Sequence, residues 1–324
     1  MLDAKDYNAM DLAQPTNFRA MLRSGELLWG TSCRIPSEEA ARIVATLPHQ
    51  FCFIDTEHAP LNATLVASLV RTIQQYSGGS MVPFVRIAPN SLDLVTYVLN
   101  AGAGGIVLPH VQNASQARAL VRASRFPPHG DRSYPPLALL GRQQRTPPGT
   151  TVYDVWNNHA AVFCQIEDLE GLANIDEICA VPGVDALMVG VADLRCSMGY
   201  PVGSQDGEEP EFLAAMTKIQ RAADKNNLAV LGFAMTDEIL QRRVRLGWRA
   251  LIIHSDGYGI FNSGTQSLEH SVKVSRGLKQ VNGYGAALNG GMKNIVNGEK
   301  IALRSMDGFR PLPNGISQGS WNGI

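Results

Sequence analysis

Eight short apolar segments, separated by longer helical patterns, are the feature that most constrains the fold of this chain. They are rich in β-branched or aromatic residues, and most are apolar at nearly every position, which is typical of strands buried on both faces. The pattern predicts strands at residues 26–30, 51–55, 82–86, 104–110, 161–167, 185–190, 228–233 and 250–255. Eightfold strand–helix alternation indicates an α/β protein with a parallel sheet, and the count of eight favours closure as a (β/α)8 TIM barrel.

Helical spacing of apolar residues fills most intervals between these strands. It predicts helices at residues 37–47, 62–76, 91–100, 114–124, 169–180, 211–225 and 237–246. The interval 125–160 instead holds three pairs of prolines. A connection this long inside a compact fold is often a lid or an interface, so we expect it to be functional.

The chain of 324 residues is long enough for one barrel domain with extensions. We predict an N-terminal extension at residues 1–20, a catalytic barrel at 21–280 and a C-terminal extension, rich in Gly and Asn, at 281–324. The formal charge of −1 provides no field that would attract nucleic acid or an anionic membrane. The N-terminus lacks a secretory pattern, no apolar run approaches the roughly 20 residues of a membrane span, and the five cysteines include no CxxC pair. A cytoplasmic protein acting on small molecules is the expectation.

Polar side chains follow several of the predicted strands where each strand ends. Asp55 and His58 follow the second strand, Arg86 ends the third, Glu167 ends the fifth and Asp193 follows the sixth. In TIM barrels the functional groups lie at the carboxyl ends of the strands and in the loops after them. We therefore expect these side chains to meet on one rim. His110 and His254 are weaker candidates, for which a core or interface role is the favoured interpretation.

Glu167 and Asp193 are predicted to end neighbouring strands, so they can reach a common point. Two adjacent carboxylates repel unless a cation or a proton separates them. Mg²⁺, and with it Mn²⁺ or Co²⁺, takes carboxylate and water oxygens and leaves positions for substrate. The pair predicts a divalent metal site, most simply for Mg²⁺. Solvated loop acids or helix caps are the alternative.

Arg86, His58 and Asp55 complete the candidate chemistry of the rim. A guanidinium suits bidentate binding of a carboxylate or an enolate oxygen, although a salt bridge from Arg86 to Asp55 is the simpler alternative. A carboxylate near a rim histidine fixes its tautomer and suits it to acid–base work. The alternative for His58 is a histidine packed under the loop at Pro60.

Five signatures occur together and in order: D-x-E-H-A-P from Asp55, V-R at Arg86, P-x-V-Q-N-A from Pro109, Q-I-E to Glu167 and G-x-A-D-L from Gly190. On these the chain resembles the HpcH/HpaI family of class II pyruvate aldolases, from about residue 20 to 260. The resemblance implies a TIM barrel of the phosphoenolpyruvate/pyruvate-binding type. It also implies a hexamer, often with the last helix exchanged between partners, and chemistry at the methyl carbon of pyruvate.

The resemblance also implies roles for individual residues. Glu167 and Asp193 match the metal ligands, and Arg86 matches the arginine that orients pyruvate and stabilises its enolate. Asp55 and His58 match the dyad that handles the proton. The substrate pocket that the resemblance implies includes Arg86, Gln165, Gly190 and the backbone amides of Ala192 and Asp193.

Two segments depart from the common family pattern. The usual G-P-A-D-L-S reads GVADLR at residues 190–195, and the usual G-x-R-G reads GDRSYPP at 130–136. The second segment is more similar to macrophomate-synthase-like members, which decarboxylate oxaloacetate and add the enolate to an acceptor. By that similarity Tyr134, Pro136 and Tyr153 bind the acceptor, and Phe53 stands where those members have a larger aromatic.

Taken together, the residues and the resemblance predict a divalent-metal-dependent carbon–carbon lyase. Its substrate would be a 2-oxoacid, pyruvate or oxaloacetate, with an unidentified acceptor. Aldol chemistry and decarboxylation-coupled chemistry both remain open. A relative acting on acyl-CoA thioesters and a non-catalytic barrel used for binding or assembly are further alternatives.

Overall fold

The protein forms a closed barrel of eight parallel strands in the computed structural model, which describes residues 15–89, 91–135, 146–201 and 206–281. Each strand pairs with the next in sequence, and the last pairs with the first. The strands are β1 Leu28–Cys33, β2 Phe51–Asp55, β3 Val82–Arg86, β4 Gly105–Leu108, β5 Ala161–Ile166, β6 Ala186–Val189, β7 Ala229–Phe233 and β8 Ala250–Ser255. The predicted (β/α)8 TIM barrel is confirmed.

Helices connect the strands along the described part of the chain. They are α1 Phe18–Arg23, α2 Glu38–Ala45, α3 Ala63–Tyr76, α4 Asp93–Asn100, α5 Ala114–Ser124, α6 Val152–His159, α7 Leu169–Ala173, α8 Ile175–Cys179, α9 Val191–Ser197, α10 Pro210–Lys225, α11 Asp237–Leu246 and α12 Asp256–Val281. The single helix predicted at 169–180 is wrong, because the chain breaks at Asn174 into α7 and α8. There the Asn174 side-chain amide donates to the backbone carbonyl of Gln112 at 2.8 Å.

The first strand also differs from its prediction, since it runs to Cys33 and not to Gly30. Gly30 looks like a strand end in the sequence, but it lies inside β1 and is paired on both sides. A Cβ at this position would overlap the ring of Phe51, so glycine is needed where β1 passes that ring. The glycine leaves space for an aromatic side chain and does not stop the strand.

Aromatic rings fill the lower part of the barrel. Phe51, Phe84 and Phe163 project inward from three strands, and Phe18 of α1 packs against all of them with ring centroids 5.4–5.8 Å apart. All four side chains are fully buried. Because these rings close the amino-terminal end, a ligand site has to lie at the carboxyl ends of the strands.

Asp185, just before β6, forms ion pairs with three arginines at this closed end. Its Oδ1 lies 2.7 Å from Nε of Arg19 and 3.2 Å from Nη2 of Arg23, and its Oδ2 lies 2.9 Å from Nη2 of Arg125. The same Oδ2 also accepts the backbone N–H of Val162 at 3.0 Å. These contacts tie α1 and the end of α5 to the sheet. We call this set the lower arginine cluster.

Residues up to Gly257 belong to one compact unit, and residues from Tyr258 belong to a second. The described part of the second unit is the remainder of α12, which carries exposed apolar side chains at Ile260, Phe261 and Leu268. Residues 1–14 and 282–324 lie outside the described residues, so the predicted extensions and domain limits stay predictions. Among the residues that the structure describes, none of the helices has the length and apolar character needed to cross a bilayer.

Candidate active site

Asp55 and Arg86 form a two-pronged ion pair at the upper rim. They end β2 and β3 and are direct register partners. Nε of Arg86 lies 2.9 Å from Oδ1 of Asp55, and Nη2 lies 2.7 Å from Oδ2. Nη1 of Arg86 is 3.1 Å from a carboxylate oxygen of Glu57. Both partners are buried, so Arg86 is held in one orientation.

The ion pair controls the ionisation of Asp55. Burial alone would raise the pKa of Asp55, but the charge and hydrogen bonds of Arg86 lower the pKa below its ordinary value. The alternative that Arg86 forms a salt bridge to Asp55 is therefore the observed one. Asp55 reaches His58 through the main chain, because its Oδ1 accepts the backbone N–H of His58 at 3.4 Å. The His58 side chain is exposed at the rim.

Glu167 follows β5 and is buried, with 2% of its side chain exposed. Its Oε1 accepts the backbone N–H of His110 at 2.7 Å, and its Oε2 accepts a hydrogen bond from the Gln165 amide. The Gln165 Oε1 in turn accepts from Nη1 of Arg86 at 3.4 Å. A continuous polar chain thus runs from Asp55 through Arg86 and Gln165 to Glu167.

Burial is the largest influence on Glu167 and raises its pKa, although the hydrogen bonds from Gln165 and His110 and the charge of Arg86 act in the opposite direction. A buried carboxylate of this kind is stabilised in its charged form when a cation approaches. A positive charge next to Glu167 would therefore stabilise its ionised form.

His110 contributes through its backbone. It has a positive φ of 50°, which is uncommon for a residue with a side chain, and this conformation accompanies an amide that donates to Glu167. The imidazole Nδ1 is 3.5 Å from Oε1 of Glu167. Sequence reasoning treated His110 as a weak candidate, since no pattern in the sequence reveals the backbone conformation.

Gly190 precedes α9 and packs on Glu167. A Cβ here would overlap both the carboxylate and the Cβ of Glu167, so only glycine allows the backbone before α9 to approach this carboxylate so closely. Asp193 lies in the first turn of α9 with its side chain exposed, and Ala192 is exposed beside it. Asp193 is the third residue of α9, which begins directly after Gly190, so the chain places Asp193 close in sequence to the glycine that packs on Glu167.

Carboxylates such as those of Glu167 and Asp193 are ligand types that suit a hard divalent cation. Within the described ranges no three His, Cys, Asp or Glu side chains are grouped so that they could hold a metal ion by themselves. A cation held by Glu167 and Asp193 would take its remaining ligands from water and substrate. Mg²⁺ commonly binds in this way, with one or two carboxylates and several waters.

The predicted acceptor residues fall in different places. Tyr134 and Tyr153 contact each other with ring centroids 4.5 Å apart, and both pack on Phe126. Phe53 is fully buried inside the barrel, and the Arg86 guanidinium lies over its ring at 5.4 Å. Pro136 lies outside the described residues. The structure thus makes Phe53 a support for Arg86, and contact of any of these residues with an acceptor stays a prediction.

The sequence analysis assigned no role to two side chains of the rim, Glu57 of the D-x-E-H-A-P signature and Arg34. Glu57 contacts Arg86, and Arg34 lies 3.6 Å from Asp55. Arg34 directly follows β1. Because the strand was predicted to end at Gly30, Arg34 was not expected at the rim. A rule that allows glycine inside a barrel strand would have revealed it.

Residues 35–254 match the family model described as HpcH/HpaI aldolase/citrate lyase. The chain belongs to this family. A pyruvate aldolase of Rhizobium etli is 34% identical over 203 residues, covering 62% of this chain and 76% of that protein. A hydroxypyruvate/pyruvate aldolase of Pseudomonas aeruginosa is 34% identical over 246 residues, covering 72% of this chain and 84% of that protein.

Among solved structures of similar fold, macrophomate synthase superposes with a TM-score of 0.77 at 27% identity. The superposition covers 84% of this chain and 94% of that one. The similarity extends over the barrel and agrees with the HpcH/HpaI assignment of the chain.

Proposed function

We propose that this protein is a divalent-metal-dependent carbon–carbon lyase that acts on 2-oxoacids through a pyruvate enolate. The observation that carries the proposal is the polar chain from Asp55 through Arg86 and Gln165 to the buried Glu167, on which Gly190 packs closely. Family members named as pyruvate aldolases support it.

Glu167 and Asp193 would hold the cation, with Mg²⁺ the simplest choice and Mn²⁺ or Co²⁺ as substitutes. A bound divalent cation supplies Lewis acidity that stabilises negative charge on an enolate oxygen. Ala192 and Asp193 are exposed residues in the first turn of α9, where backbone amides have no acceptor within their own helix, and these amides would bind the substrate carboxylate.

Arg86 and His58 would perform the remaining steps. His58, exposed at the rim, takes the proton from the C4 hydroxyl of a 4-hydroxy-2-oxoacid. The C3–C4 bond then breaks, its electrons move to the C2 oxygen, and an aldehyde leaves. Arg86, fixed by Asp55, places positive charge near that oxygen. Protonation at C3 completes pyruvate, and the reverse sequence forms the bond.

Glu167→Gln tests this scheme. The substitution keeps the size of the side chain and removes its charge, so exchange of the pyruvate methyl protons with D₂O should fall about 10²–10³-fold. The exchange is followed by NMR with Mg²⁺, Mn²⁺ or Co²⁺ and after removal of metal with EDTA. Glu170→Gln, at an exposed position in α7, is the control and should keep the wild-type rate. Full activity in metal-free buffer would contradict the scheme.

Decarboxylation of oxaloacetate followed by enolate addition is the second candidate. The GDRSYPP segment and the superposition on macrophomate synthase favour it. Oxaloacetate decarboxylation without appreciable cleavage of 4-hydroxy-2-oxoacids would select this reaction over the aldolase. Failure to bind both Mg²⁺ and pyruvate in calorimetry would instead favour a non-catalytic barrel.

The proposal includes a homo-oligomer, with a hexamer favoured. The exposed side chains of Ile260, Phe261 and Leu268 give α12 an apolar surface that another copy of the chain could cover. Light scattering should report a mass several times the 35.0 kDa of one chain. A monomer at micromolar concentration would contradict this part.

A further inference from the structure

We propose that the closed end of the barrel holds a binding site for a phosphate group, either of a small phosphorylated molecule or of inorganic phosphate. The site is a cavity that Arg19 and Arg23 line beside the lower arginine cluster. It lies at the amino-terminal ends of the strands, so it is separate from the candidate active site at the opposite rim. The inference goes beyond the proposed function and does not depend on it.

The cavity has a volume of about 440 Å³ and opens between α1 and the end of α6. A volume of this size is within the usual range of small-molecule sites. It is lined by two arginines and by small or amide side chains, namely Arg19, Arg23, Asn17, Ala20, Ser24 and Asn158. None of these lining residues is acidic, so the walls favour an anion.

The two arginines of the cavity lie side by side. They are four residues apart on α1, a spacing that places two side chains on one face of a helix. Both contact the same oxygen of Asp185, with Nε of Arg19 at 2.7 Å and Nη2 of Arg23 at 3.2 Å. Because both side chains also line the cavity, one anion in it can contact both guanidinium groups.

Both arginines keep hydrogen-bonding capacity for a ligand. Of its five N–H groups, Arg19 uses Nε with Asp185 and one on Nη1 with the carbonyl of Asn157 at 2.9 Å. Arg23 uses one on Nη2, and 53% of its side chain is exposed. Within the described part of the chain, the other N–H groups of the two side chains have no protein acceptor. Guanidinium groups bind phosphate oxygens through paired N–H groups of this kind.

Positive charge exceeds negative charge in the lower arginine cluster. Among the residues that the structure describes, its three arginines share Asp185 as their carboxylate partner, which leaves two positive charges uncompensated. Burial, and after it the charges of Arg19 and Arg23, lower the pKa of Arg125 to about 10, although Asp185 acts to raise it. A phosphate group carries a charge of about −1.5 to −2 at pH 7, which matches this excess better than a single carboxylate does.

The walls of the cavity are held in place by contacts within the chain. Phe18 anchors α1, because its ring is fully buried against the rings of the barrel. Asn157 fixes the end of α6, since its side chain accepts the backbone N–H of Phe126 at 2.8 Å while its carbonyl accepts from Arg19. A site whose walls are already oriented needs little additional ordering when a ligand binds.

Calorimetric titration of the whole protein with inorganic phosphate and with glycerol 3-phosphate tests the inference. EDTA is present throughout, so phosphate held through a metal ion at the upper rim does not contribute, and the ionic strength is kept constant with NaCl. Both ligands should bind once per chain, and saturating ligand should raise the urea midpoint. Tighter binding of glycerol 3-phosphate would identify a phosphorylated small molecule as the ligand, and equal or tighter binding of inorganic phosphate would identify the free anion.

Arg23→Gln removes one guanidinium group from the cavity at a largely exposed position, and its urea midpoint without ligand checks that the variant is folded. Loss of a charged donor should raise the dissociation constant for both ligands about 10- to 100-fold. Arg23→Lys keeps the charge but not the paired N–H groups, so it should recover part of the affinity.

Arg71→Gln, at an exposed position in α3, and Arg86→Gln, at the upper rim, are the controls and should bind both ligands as wild type does. A loss of binding in Arg86→Gln without one in Arg23→Gln would place the phosphate at the candidate active site and overturn the inference. Unchanged affinity in Arg23→Gln, or no binding to wild type at millimolar concentrations of either ligand, would overturn it as well.

Discussion

The two ends of the barrel each hold a buried aspartate surrounded by arginines, but the two clusters are built differently. At the closed end Asp185 uses both oxygens on three arginines and a backbone amide. At the open end Oδ2 of Asp55 lies 2.7 Å from Nη2 of Arg86 and 3.6 Å from Nε of Arg34. In the lower arginine cluster the carboxylate of Asp185 is used by contacts that hold α1 and α5 to the sheet, whereas the upper row, made of Arg34, Asp55 and Arg86, continues through Gln165 to Glu167.

This difference shows how the same residue types can serve stability or binding. In the lower cluster burial lowers the pKa of Arg125 to about 10, although the charge of Asp185 acts to raise it. In the upper row burial acts to lower the pKa of Arg86, but the charge and hydrogen bonds of Asp55, and then the charge of Glu57, raise it above its ordinary value. The lower cluster should therefore respond to substitution in stability and the upper row in turnover.

Asp185→Asn should have the largest effect. It leaves three guanidinium groups around a neutral side chain, and breaking a buried ion pair typically costs about 3–5 kcal/mol. Urea denaturation should report a loss of this size, while pyruvate proton exchange per folded molecule should stay near wild type. A variant of normal stability with impaired exchange would reverse the assignment of the two clusters.

Arg86→Gln should come next. Removing one charged donor at a developing oxyanion typically costs about 10²–10³-fold in rate. The NMR exchange assay with Mg²⁺ should show this loss in the fraction that is folded. Arg71→Gln, an exposed arginine of α3, serves as the control. A loss below tenfold would mean that Arg86 only supports the rim.

The smallest effect concerns acid stability. Because Arg86 lowers the folded-state pKa of Asp55, ionised Asp55 contributes stability that is fully present above the unfolded value near 3.8 and is lost as pH falls through the folded value. Wild type should therefore lose stability more steeply than Asp55→Asn as the pH falls through about 3.8 and below, as measured by urea midpoints. Parallel curves for the two proteins would show that the ion pair is not linked to folding.

Most of the barrel could be predicted from sequence because its strands are buried on both faces. The runs at β2, β3 and β8 match their predicted limits, since continuous apolar stretches end where charged or polar residues begin. α6 and α9 were not predicted, because α6 lies in the proline-rich interval 125–160 and α9 has only seven residues. The capping box of Thr151 and Asp154 is a local signal that would have revealed α6.

The candidate site was predictable in its residue types but not in its connections. Glu167 and Arg86 could be placed on one rim because strand ends meet there, and the structure adds Gln165 as the bridge between them. The His110 amide acts through its backbone conformation, and Gly190 acts through its close approach to Glu167. Neither feature produces a periodic pattern in the amino-acid sequence. Arg34 was not predicted to lie at the rim, because the end of β1 was predicted at Gly30 and not at Cys33.

The hydrogen bonds from Arg34 and Ile35 to Asp256 also bear on how the chain folds during synthesis. They join residues 222 and 221 positions apart, at the seam where β1 meets β8. Until the ribosome has delivered residue 256, β1 has an open edge on one side, and an open edge of this kind favours pairing with other chains. A protein shortened before Asp256 would keep Arg34, Asp55 and Arg86 but lose the two hydrogen bonds to Asp256, and we would expect it to aggregate.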